Sequence, residues 1–291
     1  MRQWFNQETA VAWLFLLPSL VGFVVFYAIP AVRGVAISFT DWDLLTEPTN
    51  VGFENYKMLI QDEDFWNALK VTSLYVVWNI PIQTFIAVII AVMMDRVTKS
   101  TLVRGILLLP WLMPNVVVAL LWLWLLDPTL GFVNVTLEFL GFDSVAFLGQ
   151  PATAIGSIAG INIWRHMGYT ALLIFAGLQT IPKSVYEAAA IDGASELRIF
   201  WQITVPLLRP VLVFVLVTSV IGSFQIFDTV AITTQGGPVN ATEVLNWLIY
   251  EHAFVRFNMG YATTVSIALF LILILVSLVQ MRILRADESD L

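Results

Sequence analysis

Two sets of residues in this sequence have types and spacings suited to chemistry. The first is a scatter of polar side chains inside long apolar runs: Asn79, Gln83, Asn115, Asn162, Arg165, Ser223, Gln225 and Asp228, with Phe224 among the last of them. Ionisable groups in such runs are expensive and point to function. Uncharged amides and hydroxyls there can bind a polar solute. They also bond routinely to neighbouring helices, for about 0.6 kcal/mol each. Arg165, in INIWRHMGYT, lies midway along its run if the run starts near Ala154, and closer to the outer surface if it starts near Gly160. Asp228 ends the next run on the same outer side. The two can pair as part of an outer gate, or Arg165 can snorkel to headgroups and leave Asp228 in water.

Catalysis is poorly served by these residues. The chain has 0 cysteines, which removes thiol nucleophiles, disulfides and thiolate metal sites. With only 2 histidines, His166 and His252, and no carboxylate cluster in the runs, no catalytic or metal site is expected. An intramembrane serine protease would be helped by G-x-S-G, which neither GSIAG nor IGSFQ supplies. No G-x-x-x-x-G-K-[ST] phosphate loop is present, so the chain does not hydrolyse nucleotides.

The second set is SVYEAAAIDGASELRIFWQITVP, Ser184 to Pro206. Ser184 and Glu187 have capping-box spacing and predict a helix start. Val185, Ala188, Ala189 and Asp192 then share one face. Gly193 suits the left-handed residue that ends a helix. SELRIFWQI predicts a second helix, amphipathic through Leu197, Phe200, Trp201 and Ile203, and Pro206 suits the start of the following span. A turn needs only a few residues, so about twenty organised ones predict a partner surface.

The elements that position both sets are membrane spans. Hydrophobic residues make up 59% of the 291, charged residues 12%, and mean hydropathy is +0.84. A soluble domain carries about twice that charged share. Segments of about 20 residues or more occur near Val11–Ile29, Leu69–Met93, Leu102–Leu126, Ala154–Leu178, Leu207–Phe227 and Tyr261–Gln280, which predicts an all-α polytopic membrane protein with six transmembrane helices. The first reads as a retained span, since its apolar run exceeds the ~7–15 residues of a cleavable leader. Pro18, Pro81, Pro110 and Pro114 interrupt spans, as membranes tolerate. Arg2, Arg96, Lys99, Arg104, Lys183, Arg198, Arg209, Arg282 and Arg285 fall on one side, which places both termini and the 184–206 segment in the cytoplasm. The organisation predicted is a tail, first span and acidic external loop over 1–65, a five-helix core over 66–285, and an acidic tail over 286–291. The loop DPTLGFVNVTLEFLGFDSVAFLGQ suits a surface helix, and TTQGGPVNATEVL opens on a turn and leads into another. No basic patch invites nucleic acid.

EAAAIDGASELRIFWQITVP resembles the EAA signature of binding-protein-dependent ABC importer permeases, in which EAA, three residues, G, nine residues and I-x-L-P follow in order. Glu187, Ala188, Ala189, Gly193, Ile203 and Pro206 match, and Val205 replaces the leucine. FLLPSLVGFVVFYAIPAVRGVAISFTDWD, LLLPWLMPNVVVALLWLWLLDP and TTQGGPVNATEVL extend the likeness almost end to end, toward the sugar-importing branch with maltose-type and glycerol-3-phosphate-type systems. The resemblance implies the type I ABC importer permease fold. It implies a coupling helix over 184–206 seated on a cytoplasmic ATPase through Ser184, Glu187, Ala188, Ala189, Asp192, Gly193, Ile203 and Pro206. The implied partners are a second, different permease, two ATPase subunits that bind ATP and magnesium, and an extracytoplasmic binding protein. This chain would carry no cofactor. The polar residues of the first set, with Phe224, would then line the path of a sugar, and the fifth span with Ser223, Phe224 and Gln225 is the leading place for contact. A secondary transporter or channel is the rival reading. It leaves the 184–206 segment without a task, and the spans hold hardly any acid to bind a coupling ion.

Overall fold

A computed structural model of the chain describes residues 7–97 and 100–284. Arg2, Lys99, Arg285 and the 286–291 tail lie outside the described residues. The chain forms two compact units, one of residues up to 62 with 249–268, the other of 63–248 with the residues from 269 onward.

In the first unit a 27-residue apolar stretch, Val11–Ile37, winds through Pro18 and a π-helical turn at Val24–Ala28 without breaking. The acidic stretch after it is folded. Thr40–Asp41 pairs antiparallel with Thr49–Asn50. Asp43 closes the intervening loop by accepting from the backbone N–H groups of Leu45 and Thr46, which hold its carboxyl below the usual carboxylate range. Helix Glu54–Gln61 buries Asn55, whose amide donates to the carbonyls of Ser38 and Thr40 at 2.9 Å each. Gly260 admits this ribbon, because a Cβ there would stand 1.9 Å from the Thr40 carbonyl oxygen. Beside it the Tyr261 hydroxyl donates to Asp62.

The second unit is built on two long helices, Glu63–Arg96 and Pro151–Leu178, with Arg209–Phe224 packed against them. On Glu63–Arg96 the buried stripe repeats every fourth residue: Val71, Tyr75, Asn79, Gln83, Ala87, Ala91. That spacing follows one helical ridge. It also sorts the interior into layers. Val71 and Tyr75 join an apolar cluster with Ile155, Ile158 and Ile226. Ala87 and Ala91 join another with Ala171, Ile174 and Leu208. Asn79 and Gln83 lie between the two clusters along the helix.

Among the described residues, four helices are long and apolar enough to cross a membrane: Val11–Ile37, Glu63–Arg96, Arg209–Thr233 and Met259–Ile283. The expected third span is not one straight helix. Thr101–Leu112 and Asn115–Leu125 meet at 91°, and count as a fifth span only if taken together. Pro114 accounts for the break, because it lacks an N–H and forces the residue before it out of the helical region. Met113 indeed has ψ 140°. Pro18, Pro81 and Pro110 leave their helices continuous. Pro151–Leu178 is long enough at 28 residues, yet Asn162, Arg165 and His166 make its middle polar. Phe132–Phe139 is the helix expected in the external loop, and Leu245–Tyr250 the one after the Gly-Gly-Pro turn.

Candidate functional site: a polar cavity and an exposed helical segment

Asn79, Gln83, Asn115, Asn162, Arg165, Ser223, Gln225 and Asp228 come together around one cavity of about 340 Å³ in the second unit. Phe224 does not reach it. It is buried, and the neighbouring Phe227 lines the cavity instead. The helix Arg209–Phe224 ends here, Gln225 caps it and Asp228 opens the next helix, so the chain turns at the cavity while Phe224, the last helical residue, packs inward.

Most of the wall is tied together. Asn79 donates to Ser223 Oγ at 3.0 Å, Gln83 to Thr170 Oγ1 at 2.9 Å, and Asn162 to Thr229 Oγ1 at 3.3 Å. Each bond joins two different helices. The Asn115 amide donates to the Asp228 carboxylate. Two buried polar atoms of wall residues are left over: Asn79 Oδ1, an acceptor, and Arg165 Nε, a donor, have no hydrogen-bond partner. A buried acceptor without a partner costs about 1–3 kcal/mol, so it invites a donor into the cavity.

Arg165 makes no ion pair with Asp228 among the described residues. Its guanidinium donates to the backbone carbonyls of Trp111 and Met113 at 3.3 and 3.1 Å, and to His166 Nε2 at 3.1 Å. His166 can accept there because its Nδ1–H donates to the Asn162 carbonyl at 2.9 Å. The expected direct pair is not formed because the broken span leaves the Trp111 and Met113 carbonyls within reach of the guanidinium.

Several wall residues carry no signal that stands out in the sequence. Trp111 and Tyr169 both line the cavity, stacked with ring centres 4.4 Å apart and planes 7° from parallel. An aromatic pair within an apolar run looks like any other core pair. Only the chain break beside Trp111, at Pro114, could have marked it.

In the 184–206 segment the helix is Lys183–Ile191 and its cap is Pro182, with no side-chain capping bond. The expected capping box is absent, because the helix starts earlier: Ser184 is already inside it and Glu187 lies beyond its first turn. The helix end is as expected. Gly193 has φ +71°, its N–H donates to the Ala190 carbonyl, and the Ala194 N–H donates to Ala189, the paired bonds of a Schellman motif. Ser195 caps the short helix Glu196–Ile199, its Oγ accepting from the Arg198 N–H. From Glu196 the chain winds through a π segment, Phe200–Thr204, so Pro206 continues a helix already begun.

The segment's faces differ from those expected. Ala189, Ile199 and Thr204 are buried, with Val185, Tyr186, Phe200 and Ile203 half-buried. Ser184, Glu187, Ala188 and Asp192 are exposed. So are large apolar side chains: Ile191 at 86%, Leu197 at 73% and Trp201 at 66%. An exposed Arg96–Glu196 ion pair at 2.6 Å links the segment to the end of helix Glu63–Arg96, and the neighbouring Asp95 accepts from Gln179 at 2.7 Å. Arg209 donates twice to the Leu284 carbonyl, at 3.0 and 2.8 Å.

A helical, apolar unit with a polar cavity between its helices, and a structured segment that exposes apolar side chains, has the architecture of a membrane transport subunit. Residues 83–287 match the family of binding-protein-dependent transport system inner membrane components. The chain is 34% identical over 291 residues to the probable ABC transporter permease protein YurN of Bacillus subtilis (strain 168), covering 98% of this chain and 99% of that one. It is 31% identical to the trehalose/maltose transport system permease protein MalF of Thermococcus litoralis, covering 96% of this chain and 95% of the relative. A crystal structure of a bacterial alginate ABC transporter, in complex with alginate pentasaccharide-bound periplasmic protein, contains a chain of the same fold. It matches with TM-score 0.86 at 24% identity over 99% of both chains. The protein belongs to this family: it is an ABC importer permease, a transport protein and not an enzyme, with the EAA motif and coupling helix typical of such permeases.

Proposed function

We propose that this permease forms, with a second and different permease subunit, the translocation path for a sugar delivered by an extracytoplasmic binding protein. The cavity supports that reading through one observation above the others: Asn79 Oδ1 stands unpaired in a wall that also carries the stacked Trp111–Tyr169 pair. A sugar hydroxyl supplies the missing donor, and the apolar face of a pyranose ring stacks on an aromatic surface. Gln83, Asn162, Ser223 and Gln225 offer further bonds as the solute passes. The trehalose/maltose relative supports the substrate class.

The motor lies in other chains. Two ATPase subunits bind ATP and magnesium, and the Lys183–Ile191 helix docks on one of them through Glu187, Ala188, Ile191 and Asp192. Closing of the ATPase pair moves that helix and rocks the spans from inward-facing to outward-facing. The setting is a bacterial or archaeal cytoplasmic membrane. Both termini lie in the cytoplasm and the chain crosses six times, with the bent pair and Pro151–Leu178 completing the count. Glycerol 3-phosphate is the second substrate class, and the Asp228 carboxylate beside Arg165 argues against it by offsetting the positive charge.

The test is uptake into proteoliposomes holding this chain, its partner permease and the ATPase, with the binding protein outside the membrane and a panel of labelled neutral and phosphorylated sugars. ATP-dependent accumulation of one neutral sugar, weakened by Trp111→Ala, is expected. Movement of solute by this chain alone without ATP would replace the reading with a carrier or channel.

A further inference from the structure

The bend between Thr101–Leu112 and Asn115–Leu125 raises a problem of hydrogen bonding. A helix end leaves carbonyls without intrahelical donors, and inside a bilayer no water is at hand to satisfy them. Here only Met113 and Pro114 separate two helices that meet at 91°. Two carbonyls at this joint, those of Trp111 and Met113, accept from the same nitrogen of Arg165. On the other side of the break, Asn115 donates to Asp228. The joint is therefore tied to two different helices, Pro151–Leu178 and Asp228–Thr233.

The grip on the first half is closer still. Arg165, Gly168 and Tyr169 lie on one face of their helix, by i, i+3, i+4 spacing. Arg165 holds the Trp111 carbonyl and Tyr169 stacks on the Trp111 ring. At Gly168 the Leu107 carbonyl oxygen lies 1.8 Å from where a Cβ would be, so the two backbones touch. His166, anchored on the Asn162 carbonyl, fixes the other arm of the guanidinium.

We propose that Arg165 is a positioning residue. It holds the joint of the broken span at its right angle, and so sets one wall of the solute cavity, rather than reading a charge on the solute. The consequence for transport rests on the cavity being the translocation path. The consequence for the joint does not, and the two fail separately.

The absence of native cysteines allows a distance to be measured across the joint with spin labels on Val103→Cys and Trp124→Cys, in the full chain with its co-purifying subunits in lipid nanodiscs. Two ten-residue arms of about 15 Å each span about 21 Å at a right angle and about 31 Å if straight. With Arg165 the distribution is expected near the shorter value. Arg165→Lys keeps the charge but loses the second nitrogen that His166 anchors, and gives an intermediate result, while Arg165→Gln lengthens and broadens the distribution. In uptake assays both variants raise the apparent KM of neutral and phosphorylated solutes by a similar factor. If Arg165→Gln does not accumulate in the membrane, Arg165→Lys and Asn115→Ala read the two tethers in the same way. A distance unchanged in these variants overturns the proposal, whether transport is intact or lost. A KM raised for phosphorylated solutes alone would make Arg165 a solute contact instead. A transporter that moves no sugar would sink the functional reading and leave the distance result standing.

Discussion

The cavity wall and the 183–206 segment solve opposite problems with similar materials. Both are helices broken by a special residue, Pro114 in one and Gly193 in the other. In the wall, the polar groups are turned inward and bonded across helices, as with Asn79–Ser223 and Gln83–Thr170. In the segment, backbone groups are satisfied locally by the Schellman bonds and the Ser195 cap, and the large side chains Ile191, Leu197 and Trp201 are left outside. The wall is complete except for the Asn79 Oδ1 acceptor and the Arg165 Nε donor. The segment is closed at Gly193 and at Ser195. A surface bonded locally at Gly193 and Ser195 while its apolar side chains stay bare suits docking, whereas a wall with open polar atoms suits a polar solute.

That contrast can be broken most forcefully by adding atoms. Gly168→Ala places a Cβ 1.8 Å from the Leu107 carbonyl oxygen, so the variant is expected to lose monodisperse protein on size-exclusion chromatography. Ala188→Trp adds far more bulk to an exposed position. It is expected to fold normally and to lose the ATPase subunit on co-purification. Equal damage to folding by both would erase the distinction. Next in size is Gly193→Ala. Its φ of +71° costs a residue with a Cβ about 1–3 kcal/mol, which should loosen the helix end and weaken ATPase-coupled uptake without changing apparent solute affinity. Asn79→Leu removes the open acceptor and with it one solute hydrogen bond of about 0.5–1.5 kcal/mol, so apparent KM should rise about 2- to 12-fold with the ATPase still bound. The smallest effect is expected from Arg96→Ala. Its ion pair with Glu196 is 50% and 74% exposed, and such pairs are worth about 0–1 kcal/mol, within reach only of a careful thermal-shift comparison.

Much of this was legible in the residues, and the misreadings share a cause. Gly193 announces its own conformation, since few other residues adopt a positive φ cheaply. The polar residues of the spans stand out against apolar neighbours, and they do meet at one cavity. What local pattern could not supply was direction. Phe224 sits between two cavity residues and turns into the core. Leu197 and Trp201 have the spacing of a buried face and lie exposed, while Ile199 and Thr204 are inside. Ser184 and Glu187 have capping-box spacing, but the extended Pro182 starts the helix earlier. Arg165 shows the same limit. Pro114 was visible as an interruption, yet the right-angle bend that brings two carbonyls to the arginine depends on the packing of three helices.

The most direct test of the division of labour is co-purification of this chain from its native host in mild detergent, comparing wild type with Glu187→Lys, Gly193→Pro and Asn79→Leu. An ATPase recovered with wild type and Asn79→Leu, and lost with the other two, is the predicted result. An ATPase retained by Glu187→Lys and Gly193→Pro, or a wild-type chain that purifies alone and transports without ATP, would contradict the account.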